Sequence, residues 1–410
     1  MSLLEKKTGW NRREFVKAIG LAGLAAASAP VTDVFAAPEP TAETAGAVVP
    51  RRVLGKTGVS VPILNLGGMF DTSNNQIIIK QALKWGINYW DTAEAYGNGL
   101  SEEGFGKFLA RNPGTRANVF IVTKLVPSRG ANLTERLEKC LSRLQTDYVD
   151  LFYIHSITGS SDMTPAFRDW GAEMKKRGKI RYFGFSTHTN MADCLAGAAR
   201  WDWIDAVMFT YNFRVMTDPK MVEAVNACAK AGIGLVAMKT MGGGPGMPKS
   251  ESPAELTFAE RFLQKGFTDK QAKLKVVWEN PQIASICSQM PNLTILSANV
   301  AAALNKTKLA QEDYTILQRY AQETKSGYCA GCGHICQAAV AGAVPVADLM
   351  RCLMYYRDYG EPELARATFA DLPASVRERL TRVDYSRAER ACPQGLAIGQ
   401  LVRQAAALFA

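Results

Sequence analysis

Eight short apolar runs alternate with stretches of helical period, and this order restricts the chain more than any other feature. The runs are ILNLGG (63–68), INYWDT (87–92), VFIVTK (119–124) and VDLFYIH (149–155), then IRYFGFS (180–186), IDAVMFTYN (204–212), IGLVAMK (233–239) and IASICS (283–288). Between them lie amphipathic patterns at 74–85, 101–110, 132–144, 164–177, 190–200 and 218–231, and a longer one at about 252–280. Strands that are apolar on both faces and separated by helices predict parallel pairing covered by helices. Eight such units in about 250 residues fit a (β/α)8, or TIM, barrel better than an open sheet. No GxGxxG follows the first run, so an open dinucleotide-binding sheet is not expected. RRVLGKTGVSVP (51–62) predicts a small hairpin ahead of the barrel.

Barrels of this kind place their chemistry at the C-terminal ends of the strands. Asp91, Tyr96, Lys124 and His155 fall there in consecutive units, followed by Ser186 and His188, Tyr211 and Asn212, and Lys239. The first four offer an acid, a phenol, an amine and an imidazole to one rim, and a free phenol with a pKa near ~10 gives its proton sluggishly at neutral pH. Lys124 beside Tyr96 is expected to lower that pKa, with Asp91 holding the ammonium and His155 orienting the substrate oxygen. Taken singly, each residue has a structural role open to it: a cap for Asp91, a rim aromatic for Tyr96, a snorkelling chain for Lys124, a core histidine for His155.

INYWDTAEAYGNGLSEEGFGKFL, VFIVTK and DYVDLFYIHS, with the hairpin before them, resemble the aldo-keto reductase superfamily across about 51–305. That resemblance implies a catalytic tetrad of Asp91, Tyr96, Lys124 and His155. It also implies a nicotinamide cofactor, NADP or NAD, contacted by Ser186, Tyr211, Lys239, Gly242, Gly243 and Asn299. Several positions depart from the family's pattern. Thr187 stands where an asparagine follows the serine, Met208 at the place of a glutamine, Met238 at that of a stacking tyrosine, and Pro291 at that of a phosphate-clamping arginine. The loop KTMGGGPG (239–246) is open to two readings, a pyrophosphate cradle or a turn without a ligand.

Residues 1–37 read as a leader to be excluded from the fold. Arg12-Arg13 followed by Glu14, Phe15, Val16 and Lys17, then LAGLAAASA and VFAA, resembles a twin-arginine export signal cleaved after Ala36 or Ala37. Residues 38–50 follow as a disordered linker. Such a signal implies passage of an already folded chain through the twin-arginine translocase to the periplasm or another extracytoplasmic space. A metal cluster assembled beforehand in a reducing compartment is compatible with that route.

Of nine cysteines, Cys140, Cys194, Cys228 and Cys287 fall within barrel elements and read as small core residues. SGYCAGCGHICQAA (326–339) and ACPQGLAIGQL supply Cys329, Cys332, Cys336 and Cys392, which resemble the ferredoxin manner of holding a [4Fe–4S] cluster. Zinc bound by four cysteines, or by three and His334, is a second reading, and disulfides are a third. Cys352 is an alternative fourth ligand. Residues 306–410 are expected to form a helical appendage, with helices at 308–324, 346–358, 373–382 and 396–408, closed by the cluster.

The net charge is +10, but no basic stripe is interleaved with aromatics, so no nucleic-acid partner is expected. The leading expectation is an exported oxidoreductase acting on a small carbonyl or alcohol. The alternative is a non-catalytic or electron-transfer barrel that uses the cluster with a redox partner protein.

Overall fold

The computed structural model describes residues 48–127, 132–246 and 253–409. The leader, and residues 38–47 of the linker, lie outside them. A hairpin of β1 (Arg51–Val53) and β2 (Ser60–Pro62) comes first. Eight parallel strands then close a barrel in chain order: β3 (Leu64–Gly67), β4 (Tyr89–Asp91), β5 (Phe120–Leu125), β6 (Val149–Ile157), β7 (Ile180–Thr187), β8 (Ala206–Thr210), β9 (Gly234–Met238) and β10 (Ile283–Gln289). β10 pairs with both β9 and β3, which completes the ring.

The two-residue period of the strands sorts their side chains. Tyr89, Val122, Leu151, Tyr153 and Val236 fill the lumen, and Leu54 and Val61 from the hairpin plug its N-terminal mouth. Their neighbours Trp90, Ile121, Phe152, Phe183 and Phe209 face outward into the layer beneath the helices. Arg52 ties the plug down by donating to the carbonyls of Trp278, Asn280 and Ile283.

The expected long helix over 252–280 is two, Pro253–Gln264 and Asp269–Trp278. Gly266 (φ +82°) turns the chain between them. Thr268 then opens the second with a reciprocal capping pair, accepting from the Gln271 N–H while Gln271 Oε1 accepts from its own.

Helix Leu293–Leu304 closes the barrel's outer ring, and Gln311–Glu323 lays Leu317 and Tyr320 into the same core. A second core gathers beyond it, built on Leu349, Leu353, Phe369, Leu401 and Val402. Its main helices are Val346–Arg357 and Ile398–Phe409. The expected helix over 373–382 contracts to Ala374–Arg377, and Gly333–Ala339, Pro362–Ala370 and Ser386–Ala391 are additional. Among the described residues no helix is long and apolar enough to cross a membrane.

Candidate active site

The lumen-facing period puts Asp91 at the end of β4, Lys124 late in β5 and His155 in β6 on one rim. Asp91 and Lys124 are fully buried, and His155 nearly so. The Lys124 ammonium donates to Asp91 Oδ1 at 2.6 Å, to the Thr92 carbonyl at 2.8 Å and to the Tyr96 hydroxyl at 3.2 Å. Tyr96 opens the turn after β4, where Gly97, Asn98 and Gly99 all take positive φ. Its ring meets the His155 imidazole edge-on at 5.9 Å. The four expected catalytic residues are therefore brought together.

Their electrostatics differ from expectation at one point. Desolvation holds the Tyr96 phenol well above its ordinary pKa, and Asp91, Cys287 and Tyr355 add to the rise. The expected lowering by Lys124 does not prevail against the desolvation of the phenol. Burial likewise pushes the Asp91 carboxyl up, against the pull of Lys124. The Cys287 thiol, hydrogen-bonded to the same carboxyl, adds to that pull.

The tetrad opens into a cavity of about 530 Å³, a usual size for a small-molecule site. Its walls have two sources. The barrel supplies Met208, Met238, Lys239, Cys287, Ser288 and Gln289, and the appendage roofs it with Arg351, Tyr355, Tyr359 and Glu361. Cys287, read from sequence as core, lines this cavity, and Asp91 is one of the charges that raise its thiol pKa. Lys239 (φ +55°) donates to Tyr355 Oη at 3.1 Å, and burial lowers its pKa. His188 also lines the cavity; desolvation, then Lys239, Arg351, His155 and Lys124, hold its pKa well below the ordinary value.

The expected cofactor contacts fare differently. Lys239 faces the cavity, but Ser186 is buried and its hydroxyl accepts from the Ser156 N–H at 3.1 Å. Tyr211 falls on the outward parity of β8, packs tilted against Phe209 and accepts from Asn280 Nδ2 at 2.9 Å. Asn299 donates to Ser288 Oγ at 3.0 Å. The glycine-rich loop is filled by the chain itself. A Cβ on Gly243 would lie 1.5 Å from Asp358 Oδ2, and one on Gly244 would lie 2.3 Å from the Gly327 carbonyl. Gly242 and Gly243 thus serve a protein contact, not an open phosphate cradle. The Thr187 hydroxyl is spent on the carbonyls of Ile157 and Thr189, and Met208 and Met238 offer no hydrogen bond to a carboxamide. These residues do not fit a dinucleotide gripped as the resemblance implies.

Cys329, Cys332, Cys336 and Cys392 surround one void, with Ile335, Val346, Met350 and Leu396 completing its wall. Burial, with the neighbouring Cys332, Cys336 and Cys392 adding to it, pushes the Cys329 thiol up to about 12. Cys352 is buried in the second core and does not line that void. All nine cysteines are free, so the disulfide reading fails. Among the described residues no three His, Cys, Asp or Glu side chains converge to hold a single metal ion. His334 turns outward to Asn190 Oδ1 at 2.7 Å, which removes the zinc reading that used it. Gly331 (φ +73°) takes the cysteine loop within van der Waals reach of the His188 carbonyl, and its own carbonyl accepts from the Asn190 N–H at 2.7 Å.

A closed parallel barrel with an Asp–Tyr–Lys–His rim defines the class of reductase barrels. Residues 64–322 match the Aldo/keto reductase family, and the chain belongs to it. Its relatives include the uncharacterized oxidoreductase YrpG of Bacillus subtilis, 30% identical over 218 residues that cover 47% of this chain and 66% of YrpG. The aldo-keto reductase yakc [NADP(+)] of Schizosaccharomyces pombe is 29% identical over 219 residues, covering 48% of this chain and 62% of its own. The chain thus spans a little under two thirds of the length of these two relatives. Among solved structures, the thermostable aldo-keto reductase Tm1743 in complex with the inhibitor epalrestat superposes with a TM-score of 0.55. It is 27% identical and covers 66% of this chain and 99% of that one.

Proposed function

We propose that the protein interconverts a carbonyl and an alcohol with Tyr96 as general acid and base. One observation carries this reading: the Lys124 ammonium is held between Asp91 Oδ1 and the Tyr96 hydroxyl, at 2.6 and 3.2 Å. In reduction, charge grows on the substrate oxygen and the Tyr96 hydroxyl gives it a proton. Lys124, fixed by Asp91, steadies the phenolate left behind, and His155 beside the phenol orients the oxygen. In oxidation the phenolate takes the proton back. The raised Tyr96 pKa keeps the phenol protonated in the neutral range but makes its proton harder to give, so the step depends on Lys124 to stabilise the phenolate.

A nicotinamide dinucleotide as hydride carrier is supported by the NADP(+) in the name of the Schizosaccharomyces pombe relative. The filled glycine loop and the two methionines stand against the family's usual grip on it, so the steps above are assigned to this chain's own residues alone.

Cys329, Cys332, Cys336 and Cys392 are proposed to hold a [4Fe–4S] cluster. The four thiols around one void, in the C-x2-C-x3-C run with a distant Cys-Pro, support this reading. Such a cluster supplies one-electron redox chemistry when bound. A second reading makes it the port of a redox partner protein. The observation favouring it is a gap lined by Cys329 and Tyr328 together with His188, Lys239 and Arg351, which also wall the cavity. The Arg12-Arg13 leader supports export by the twin-arginine translocase to the periplasm, with the centre loaded beforehand.

Anaerobically purified protein should be brown and should reduce simple aldehydes with NADPH or a reduced viologen. Tyr96→Phe should lose about 10²–10⁴-fold in rate without changing the visible spectrum. Equal rates in the two proteins would remove Tyr96 from the chemistry, and a colourless protein would remove the cluster.

A further inference from the structure

Lys239 is costly to place as it is. It is a non-glycine residue at φ +55°, directly after β9, a conformation that persists only where the surroundings enforce it. Its ammonium is turned into the cavity, bonded to Tyr355 Oη, with the ring centroids of Tyr355 and Tyr359 at 4.4 and 5.3 Å. Among the described residues no carboxylate pairs with it. The acids of the same cavity have other partners: Asp91 holds Lys124, Asp348 holds Arg351 at 3.0 Å, and Glu361 accepts from Gln289. Asp371, also on the wall, makes contacts of its own. A partly buried cation with aromatic faces and one neutral hydroxyl for company is left, among the described residues, without a counter-charge.

Arg351 stands at the same place. It projects from helix Val346–Arg357 into both the cavity and the gap beside it, where Lys239 and His188 are its fellow wall residues. Its one ion pair, through Nη2 to Asp348, leaves most of its fork of donors for a ligand. His188 registers the resulting field, since Lys239 and Arg351 are the charges that most disfavour its protonation.

We propose that Lys239 and Arg351 form an anion-binding subsite, and that the substrate carries a carboxylate or phosphate seated there in addition to its carbonyl or alcohol. The chemistry shared by both is a compact group of anionic oxygens, which supplies the charge that Lys239 lacks and bonds to the Arg351 fork. The substrate assignment rests on the reading of the cavity as the place of carbonyl–alcohol redox. Half the subsite comes from the barrel and half from the roof, so specificity is set by a segment outside the reductase barrel.

The test is calorimetric titration of the intact, anaerobically purified protein at fixed ionic strength with succinate, inorganic phosphate and, as neutral control, butane-1,4-diol. At least one anion should bind, and the diol should bind at least tenfold more weakly. Lys239→Met and Arg351→Met should each weaken the anion by tenfold or more, while Lys239→Arg should retain most of the affinity. Succinate should also give way to succinic semialdehyde, whose KM should rise in the two Met variants far more than that of butanal. Absence of binding by either anion up to 10 mM, or equal affinity in the Met variants and the parent, would overturn the subsite. If NADP(+) excludes the anion and depends equally on Lys239, the subsite belongs to the dinucleotide's phosphates and the substrate assignment falls. Failure to turn over any aldehyde, with Lys239-dependent succinate binding intact, would sink the redox reading and leave the subsite standing.

Discussion

Individual residues at the rim act through the company they keep. Lys124 is buried with Asp91, and the pair is stable because each offsets the other's desolvation; neither can be changed alone without stranding a charge. His188 is the sensitive neighbour of this arrangement. Burial and the surrounding Lys239, Arg351, His155 and Lys124 keep it neutral in the fold, whereas the unfolded chain takes up its proton near pH ~6.5. Below that pH the unfolded state binds more protons, so stability falls as the pH falls. Denaturant midpoints at pH 7.5, 6.5 and 5.5 should therefore drop in the parent and drop less steeply in His188→Gln. Parallel slopes would show that this histidine titrates normally. The sequence made Asp91, Lys124 and His155 legible because strand ends and inward parity coincide at all three. It misplaced Tyr211, whose parity is outward, and Cys287, whose apolar neighbours conceal that it borders Asp91.

At the scale of elements, the glycine-rich loop after β9 shows why a motif and its use separate. Its missing side chains admit something closely, as the sequence implies, but what approaches is the chain's own 327–328 segment and Asp358. Gly246 N–H donates to the Gly327 carbonyl, and Arg357 donates to that of Pro245, so the loop is the seam between barrel and roof. Gly244→Ala would drive a Cβ into the Gly327 carbonyl and the Tyr328 Cα, both backbone and unable to rotate aside. Overpacking of this kind costs roughly 1–3 kcal/mol. Because Cys329 follows at once, the variant should also lose the colour of the proposed cluster sooner under air; an unchanged melting temperature and colour lifetime would deny the seam its role. Helix Val346–Arg357 was recognisable from its period alone. Nothing in that period says that Arg351 and Tyr355 face a distant barrel and not their own core.

Across the whole molecule, the cavity at the rim draws its walls from both the barrel and the roof and belongs to neither alone. The barrel order was legible because eight repeats of one pattern leave few topologies; the roof was not, because its contacts join residues more than a hundred positions apart, such as Lys239 and Tyr355. Helix Ile398–Phe409 fastens the roof: Leu401, Val402 and Ala405 enter its core, and Gln404 accepts from Arg357 at 2.6 Å. A chain stopped after Leu396 should keep the barrel's circular dichroism and lose the cooperative unfolding of the second core. It should also bind an environment-sensitive apolar dye at the uncovered rim, and a silent dye would show that the rim stays covered without this helix.

The position of that fastening also sets a calendar for biosynthesis. Every barrel strand has been made by residue 289, yet the helix that secures Arg351 and Tyr355 begins only at Ile398. A nascent chain is thus a finished scaffold around an unfinished chamber while the residues between are made. Its rim stays uncovered until that helix has emerged, so messages cut short between the two yield barrels without a closed interior.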